Sequence, residues 1–132
     1  MYTNNIMKQI YPPPQFFPPI ILHIRKLYTN TYQIGKKLPK SDKLGIHSVI
    51  ERKILNIFQN AVEASFTEKN KKLLILEKMR IDIELVKQLI RIENEIHILN
   101  EGSYINIETA LQEISKETNG WINFIKTQNP LL

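Results

Sequence analysis

The chain of 132 residues is 42% apolar and 23% charged, contains no cysteine, and has a formal net charge of +5. This length suits one domain with a substantial hydrophobic core. The lack of cysteine excludes a disulfide scaffold, a thiolate zinc site and a cysteine nucleophile. The moderate excess of basic residues suggests an anionic partner.

The positive charge is concentrated in the middle of the chain. Residues 23–91 carry fifteen Lys and Arg against seven acids, whereas residues 92–132 carry two basic residues against six acids. Such asymmetry is typical of proteins that bind nucleic acid or another polyanion. It also fits a solvated surface whose two halves attract each other.

Residues 1–18 are predicted to form a proline-rich extended leader. Five prolines lie between Tyr11 and Pro19, a density that excludes helix and favours polyproline II. The segment is either a simple extended leader or an arm whose Phe16 and Phe17 dock on a neighbouring surface. We find neither a secretory signal nor an apolar stretch of about 20 residues. We therefore expect a cytoplasmic protein that does not enter a membrane.

Residues 19–128 are predicted to form an all-α domain, followed by a tail at 129–132. Apolar spacing indicates helices over about 20–37, 41–66, 70–99 and 104–127. Leu38-Pro39 ends the first helix, Gly102 lies just past the end of the third, and Gly120 is a weak spot that can kink the fourth. Short connections between four helices favour an antiparallel up-down four-helix bundle.

The third predicted helix carries two apolar stripes. At about 100° per residue, the stripes lie roughly 140° apart around the helix axis. One stripe is sufficient for a bundle core. The pair indicates either an unusually wide core contact or a subunit interface beside the core. The first stripe comprises Leu74, Ile81, Leu85, Leu89, Ile92, Ile96 and Leu99. The second stripe comprises Leu76, Met79, Ile83, Val86 and Ile90. We assign the second stripe to an oligomer interface, while leaving open which stripe faces the core.

No catalytic constellation is evident. His23, His47 and His97 lie on three different predicted helices without metal-ligand spacing, and no glycine-rich phosphate loop occurs. We therefore predict a non-enzyme with no metal and no cofactor.

Basic residues offer a candidate binding surface instead. Arg80, Lys87 and Arg91 follow at i, i+7 and i+11, which places them on one strip of the third helix. Such a strip could follow a phosphate backbone with little sequence readout. The alternative is that these cations form ordinary surface ion pairs with neighbouring glutamates, which contribute little to stability. Further candidates are Lys36, Lys37, Lys40, Lys43, Arg52 and Lys53.

Three segments together resemble a known family. They are Leu38-Pro-Lys-Ser-Asp-Lys-Leu-Gly45, Ile57-Phe-Gln-Asn-Ala-Val-Glu-Ala64 and Gly120-Trp121-Ile122. In order and spacing they resemble four-helix-bundle proteins encoded in intervening sequences of bacterial 23S ribosomal RNA genes, and Avd, the accessory variability determinant of diversity-generating retroelements. The resemblance covers about residues 20–127. Glu63 is followed by Ala64 where the ribosomal branch typically has glycine, so the chain is more similar to Avd.

The resemblance implies a barrel-shaped homopentamer of four-helix bundles. It also implies binding to the retroelement's reverse transcriptase and to its template RNA, with DNA as a further ligand, in support of mutagenic retrohoming. The basic residues above are candidates for that contact. The alternative function is that of a structural bundle of the ribosomal intervening-sequence type, with no nucleic-acid role.

Overall fold

The computed structural model describes residues 18–128, which form five helices and no strand. The predicted leader and the tail at 129–132 lie outside these residues, apart from Pro18. Four of the helices are long, and the second is a single short turn between the first and third. The helices are α1 (Pro19–Lys36), α2 (Lys40–Leu44), α3 (Ile46–Phe66), α4 (Lys69–Glu95) and α5 (Glu101–Gln128).

The four long helices form an antiparallel bundle. α1 packs on α3, α3 on α4, α4 on α5, and α5 back on α1, so α1 and α4 occupy diagonal corners. His47, early in α3, reaches both Thr31, late in α1, and Glu93, late in α4. Lys72, early in α4, lies over the ring of Trp121, late in α5. Neighbouring helices therefore run in opposite directions, and the predicted all-helical bundle is confirmed for a single chain.

The core is aliphatic and continuous along the bundle axis. Each long helix contributes residues three or four apart, the spacing that aligns side chains on one helix face. The largest fully buried side chains are Ile20 and Ile24 on α1, Ile50, Ile54 and Ile57 on α3, Leu76, Met79, Ile83 and Ile90 on α4, and Ile107, Leu111 and Ile114 on α5.

Gly45 divides the predicted second helix. The backbone at Gly45 has φ −89° and ψ −121°, outside the helical region, so the chain changes direction between α2 and α3. A side chain would also not fit, because a Cβ at Gly45 would lie 2.8 Å from the carbonyl oxygen of Ser41. The single helix predicted over 41–66 is therefore wrong, and α2 is a separate element.

The connection between α4 and α5 differs from the prediction as well. α4 ends at Glu95, and His97 takes the left-handed conformation, with φ 64°, that ends many helices. Asn100 then caps α5, since its side-chain oxygen accepts a hydrogen bond from the Ser103 amide at 2.8 Å. Gly102 lies in the first turn of α5 and not past the end of α4. At Gly120, by contrast, α5 continues without interruption.

Candidate functional site

The most basic surface of the described chain is formed by the end of α1 and by α2. We call Lys36, Lys37, Lys40 and Lys43 the basic corner. All four lysines are exposed, and none forms an ion pair with another described residue. Residues 18–45 contain six basic residues and one acid, Asp42, whereas residues 46–128 contain eleven basic residues and twelve acids. The excess positive charge of the described chain therefore lies entirely in α1 and α2.

Arg52 and Lys53 do not extend the basic corner as one surface. Arg52 is exposed and its Nε donates a weak hydrogen bond, 3.4 Å long, to the carbonyl oxygen of Ser48. Lys53 is half-buried, and as the next residue it lies about 100° further around α3. The two predicted site residues consequently point in different directions.

The predicted strip on α4 is largely neutralised. Arg80 pairs with Glu77, and Nζ of Lys87 lies 3.2 Å from an oxygen of Glu84. Arg91 is exposed and has no ion-pair partner among residues 18–128. An open groove of about 780 Å³ beside the strip is lined by Glu84, Glu108 and Glu113 as well as Lys87 and Lys116. The structure therefore brings the three cations to one side of α4, but it pairs two of them, Arg80 and Lys87, with carboxylates.

The five residues assigned to an oligomer interface lie inside the single bundle, so this assignment is wrong. Leu76, Met79, Ile83, Val86 and Ile90 are all 0% exposed, because their side of α4 faces the core. A residue without exposed surface has nothing left to bury against another subunit.

Five of the seven residues of the other stripe face outward, whereas Leu89 and Leu99 pack against the core. Leu74 is 75% exposed and Ile81 is 68% exposed, and both lie on the side of the helix opposite the core. Leu85, Ile92 and the adjacent Ile96 are also exposed, at 38%, 42% and 57%. We call these five residues the outer stripe. Large aliphatic side chains aligned on one exposed face are typical of an interaction surface.

A buried polar cluster lies where α1, α3 and α4 meet. Nδ1 of His47 is 2.9 Å from an oxygen of Glu93, Nε2 is 2.8 Å from the carbonyl oxygen of Thr31, and both side chains of the ion pair are 0% exposed. Burial alone would lower the pKa of His47, but the hydrogen bonds to Glu93 and Thr31, together with the negative charges of Glu93 and Glu51, raise the pKa above its ordinary value. His47 and Glu93 are 46 residues apart in the sequence, and no local sequence pattern indicates that they pair.

The remaining histidines and the carboxylates form no recognisable metal centre. Nδ1 of His23 lies 2.7 Å from Oε1 of Glu117 on α5, and His97 is exposed in the turn after α4. Among residues 18–128, no group of three or more His, Asp or Glu side chains is arranged to hold a metal ion. Within the same range, no helix has the length and apolar character needed to cross a membrane.

Comparison with protein families gives a match over most of the chain. A family model described as bAvd-like matches residues 20–125, which cover nearly all of the four long helices together with the basic corner and the outer stripe. The predicted resemblance is thereby confirmed. None of the curated proteins compared with the chain matches it.

Proposed function

Because the chain belongs to the bAvd-like family, we propose that it is a non-catalytic accessory protein of a diversity-generating retroelement. In this role it binds the reverse transcriptase and the template RNA, and it supports mutagenic retrohoming. The observation that carries the proposal is the basic corner: four exposed lysines that have no ion-pair partner in the described part of the chain, in a segment with five net positive charges.

The basic corner suits a polyanion because its charges are available. A lysine already paired with a carboxylate must lose that partner before it can bind a phosphate, whereas Lys36, Lys37, Lys40 and Lys43 have no such competitor among the described residues. Each lysine–phosphate contact releases counterions from the nucleic acid. Four contacts to single-stranded RNA would give a slope of roughly −3 in a plot of log K against log salt concentration.

The proposal includes self-association through the outer stripe. Burying five aliphatic side chains between copies of the chain removes apolar surface from water. Each Å² of apolar surface buried in this way stabilises the assembly by about 25 cal/mol. This contact would take the place of the subunit interface that we had assigned to the opposite side of α4. A homopentamer, as implied by the resemblance, is the proposed assembly.

The decisive experiment compares two charge-reversal variants of similar size. One replaces the basic corner (Lys36, Lys37, Lys40 and Lys43→Glu), and the other replaces the strip on α4 (Arg80, Lys87 and Arg91→Glu). Fluorescence anisotropy with template RNA and co-purification with the reverse transcriptase are the readouts, and circular dichroism checks the fold. We expect the corner variant to lose binding and the α4 variant to lose less, because two of its cations are already paired.

The alternative function is a structural bundle of the ribosomal intervening-sequence type. The neutralised strip on α4 is the observation that favours it. If the wild-type chain binds neither the template RNA nor the reverse transcriptase at low salt, the accessory role is wrong and the alternative stands.

A further inference from the structure

Two tyrosines and a lysine form a ladder along α1 that ends in the basic corner. Tyr28, Tyr32 and Lys36 follow at intervals of four residues, which places their side chains one above another on the helix. The ring centroids of Tyr28 and Tyr32 are 6.3 Å apart, with 26° between the ring planes. Nζ of Lys36 lies 5.3 Å from the centroid of the Tyr32 ring. An aromatic stack therefore leads directly into the basic corner, whose four lysines have no ion-pair partner among residues 18–128.

The core does not account for Tyr32. Tyr28 packs partly against the core, but Tyr32 is 44% exposed. The hydroxyl of Tyr32 makes no hydrogen bond to any residue in the described range. Its stacking and cation–π contacts are those within the ladder, and it is not among the side chains that pack against the core.

We propose that Tyr32 is a stacking platform for a base of single-stranded nucleic acid whose phosphates bind the basic corner. This inference rests on the proposed nucleic-acid binding and adds the form of the ligand. A positively charged surface next to an exposed aromatic ring is the arrangement that binds single strands without sequence preference, because every base has a π face. Lys36 covers one face of the ring, and its flexible chain can move aside so that its ammonium group pairs with a phosphate.

The platform selects against a duplex. In a double helix each base already stacks on its neighbours, so no face is open to the tyrosine ring unless the duplex first unstacks. The lysines, in contrast, attract the phosphates of either form. A preference for single strands over a duplex is therefore the effect expected from Tyr32 and not from the basic corner.

The test uses Tyr32→Ala, with Tyr32→Phe as the conservative variant and Phe124→Ala as the matched control. Phe124 is also exposed, at 59%, but lies late in α5. The probes are single-stranded RNA and single-stranded DNA of about 12 nucleotides, together with the corresponding duplex. Tyr32→Ala should weaken single-strand binding about 5- to 150-fold. Tyr32→Phe and Phe124→Ala should stay within about twofold of wild type, and duplex binding and the salt dependence should not change.

A fluorescence signal tests the contact directly. In a Trp121→Phe background, which removes the natural tryptophan, Tyr32→Trp should be quenched by single strands and not by the duplex. If circular dichroism shows that Tyr32→Ala unfolds, Tyr32→Leu takes its place in the test, because leucine keeps an apolar side chain at this position without an aromatic ring.

Two outcomes would overturn the inference, and they are distinguishable. If Tyr32→Ala binds single strands like wild type while the corner variant does not bind, the platform is wrong and the proposed function is retained. If the wild-type chain binds no nucleic acid at low salt, the platform and the proposed nucleic-acid binding are both wrong, and only binding to the reverse transcriptase remains of the proposed function.

Discussion

Removing Glu93 should destabilise the bundle severely, because it leaves a buried imidazole without its carboxylate partner. Both nitrogens of His47 face oxygen acceptors, Glu93 on one side and the carbonyl of Thr31 on the other. A ring that donates from both nitrogens is the protonated form. In Glu93→Ala the charge of this ring loses its counterpart in a site with no access to water.

The expected loss in the free energy of unfolding is about 3–5 kcal/mol, the usual cost of breaking a buried ion pair by removing one partner. For a domain of this size, that loss corresponds to a Tm roughly 10–25 °C lower. Glu93→Gln should cost less, about 1–2 kcal/mol, because the amide can donate to Nδ1 of a neutral imidazole while Nε2 still donates to Thr31.

Stability should also depend on pH through His47. The pKa of His47 is raised above its ordinary value of 6.5, so folding favours the protonated ring. The resulting stabilisation is fully present below pH 6.5 and is lost as the pH rises through the raised pKa. One such group changes the free energy of unfolding by at most about 1.4 kcal/mol per pH unit. In Glu93→Gln this contribution should shrink, because Glu93 supplies both a hydrogen bond and a charge that raise the pKa, whereas the burial that lowers it remains.

Urea denaturation at a fixed protein concentration, repeated between about pH 5.5 and pH 9, measures both effects. The fixed concentration matters because self-association contributes to stability. The reasoning is refuted if Glu93→Ala loses less than about 1 kcal/mol at the acidic end of this range. It is refuted equally if Glu93→Gln keeps the pH dependence of the wild type.

Three further predictions use the same unfolding assay. Gly120→Ala should stabilise the bundle by about 0.5–1 kcal/mol, since a Cβ there meets nothing within 4 Å and alanine favours helix; a loss would show a hidden contact. Gly35→Ala should cost about 1–3 kcal/mol, because its Cβ would lie 2.8 Å from Cδ2 of His47; a neutral result would mean that the ring can shift. Asn100→Ala should cost about 1 kcal/mol through the lost cap of α5; no loss would mean that the cap contributes nothing.

Helical periodicity was sufficient to predict the bundle, but it misassigned the two stripes of α4. Both stripes are aliphatic, so hydrophobicity alone does not show which one faces the core. A signal was present in the spacing. The buried stripe repeats every three or four residues without a gap, from Leu76 to Ile90. The outer stripe is interrupted between Leu74 and Ile81, where the exposed Lys78 occupies the face. An uninterrupted repeat fits a core because each turn of the helix must cover it.

The helix boundaries were harder to predict than the helices themselves, because they depend on single backbone angles. The helix predicted over 41–66 includes Gly45, yet Gly45 adopts a non-helical conformation. Gly102 was expected to end α4, but His97 takes the left-handed conformation five residues earlier. Histidine is an uncommon residue there, so the sequence signal favoured the glycine. The pair formed by His47 and Glu93 was unpredictable for a different reason, since it exists only after three helices have packed together.

The two surfaces in the proposed function are compatible because they lie on different parts of the bundle. α1 and α4 occupy diagonal corners, and α2 follows α1 at one end. An assembly built on the outer stripe of α4 would therefore leave the basic corner and Tyr32 exposed on each subunit. Association would then repeat the basic corner once per subunit, and linked weak sites on one RNA bind far more tightly than a single site. On this reasoning, charged substitutions at Leu74 and Ile81 that prevent self-association should weaken RNA binding although they leave every lysine of the basic corner in place.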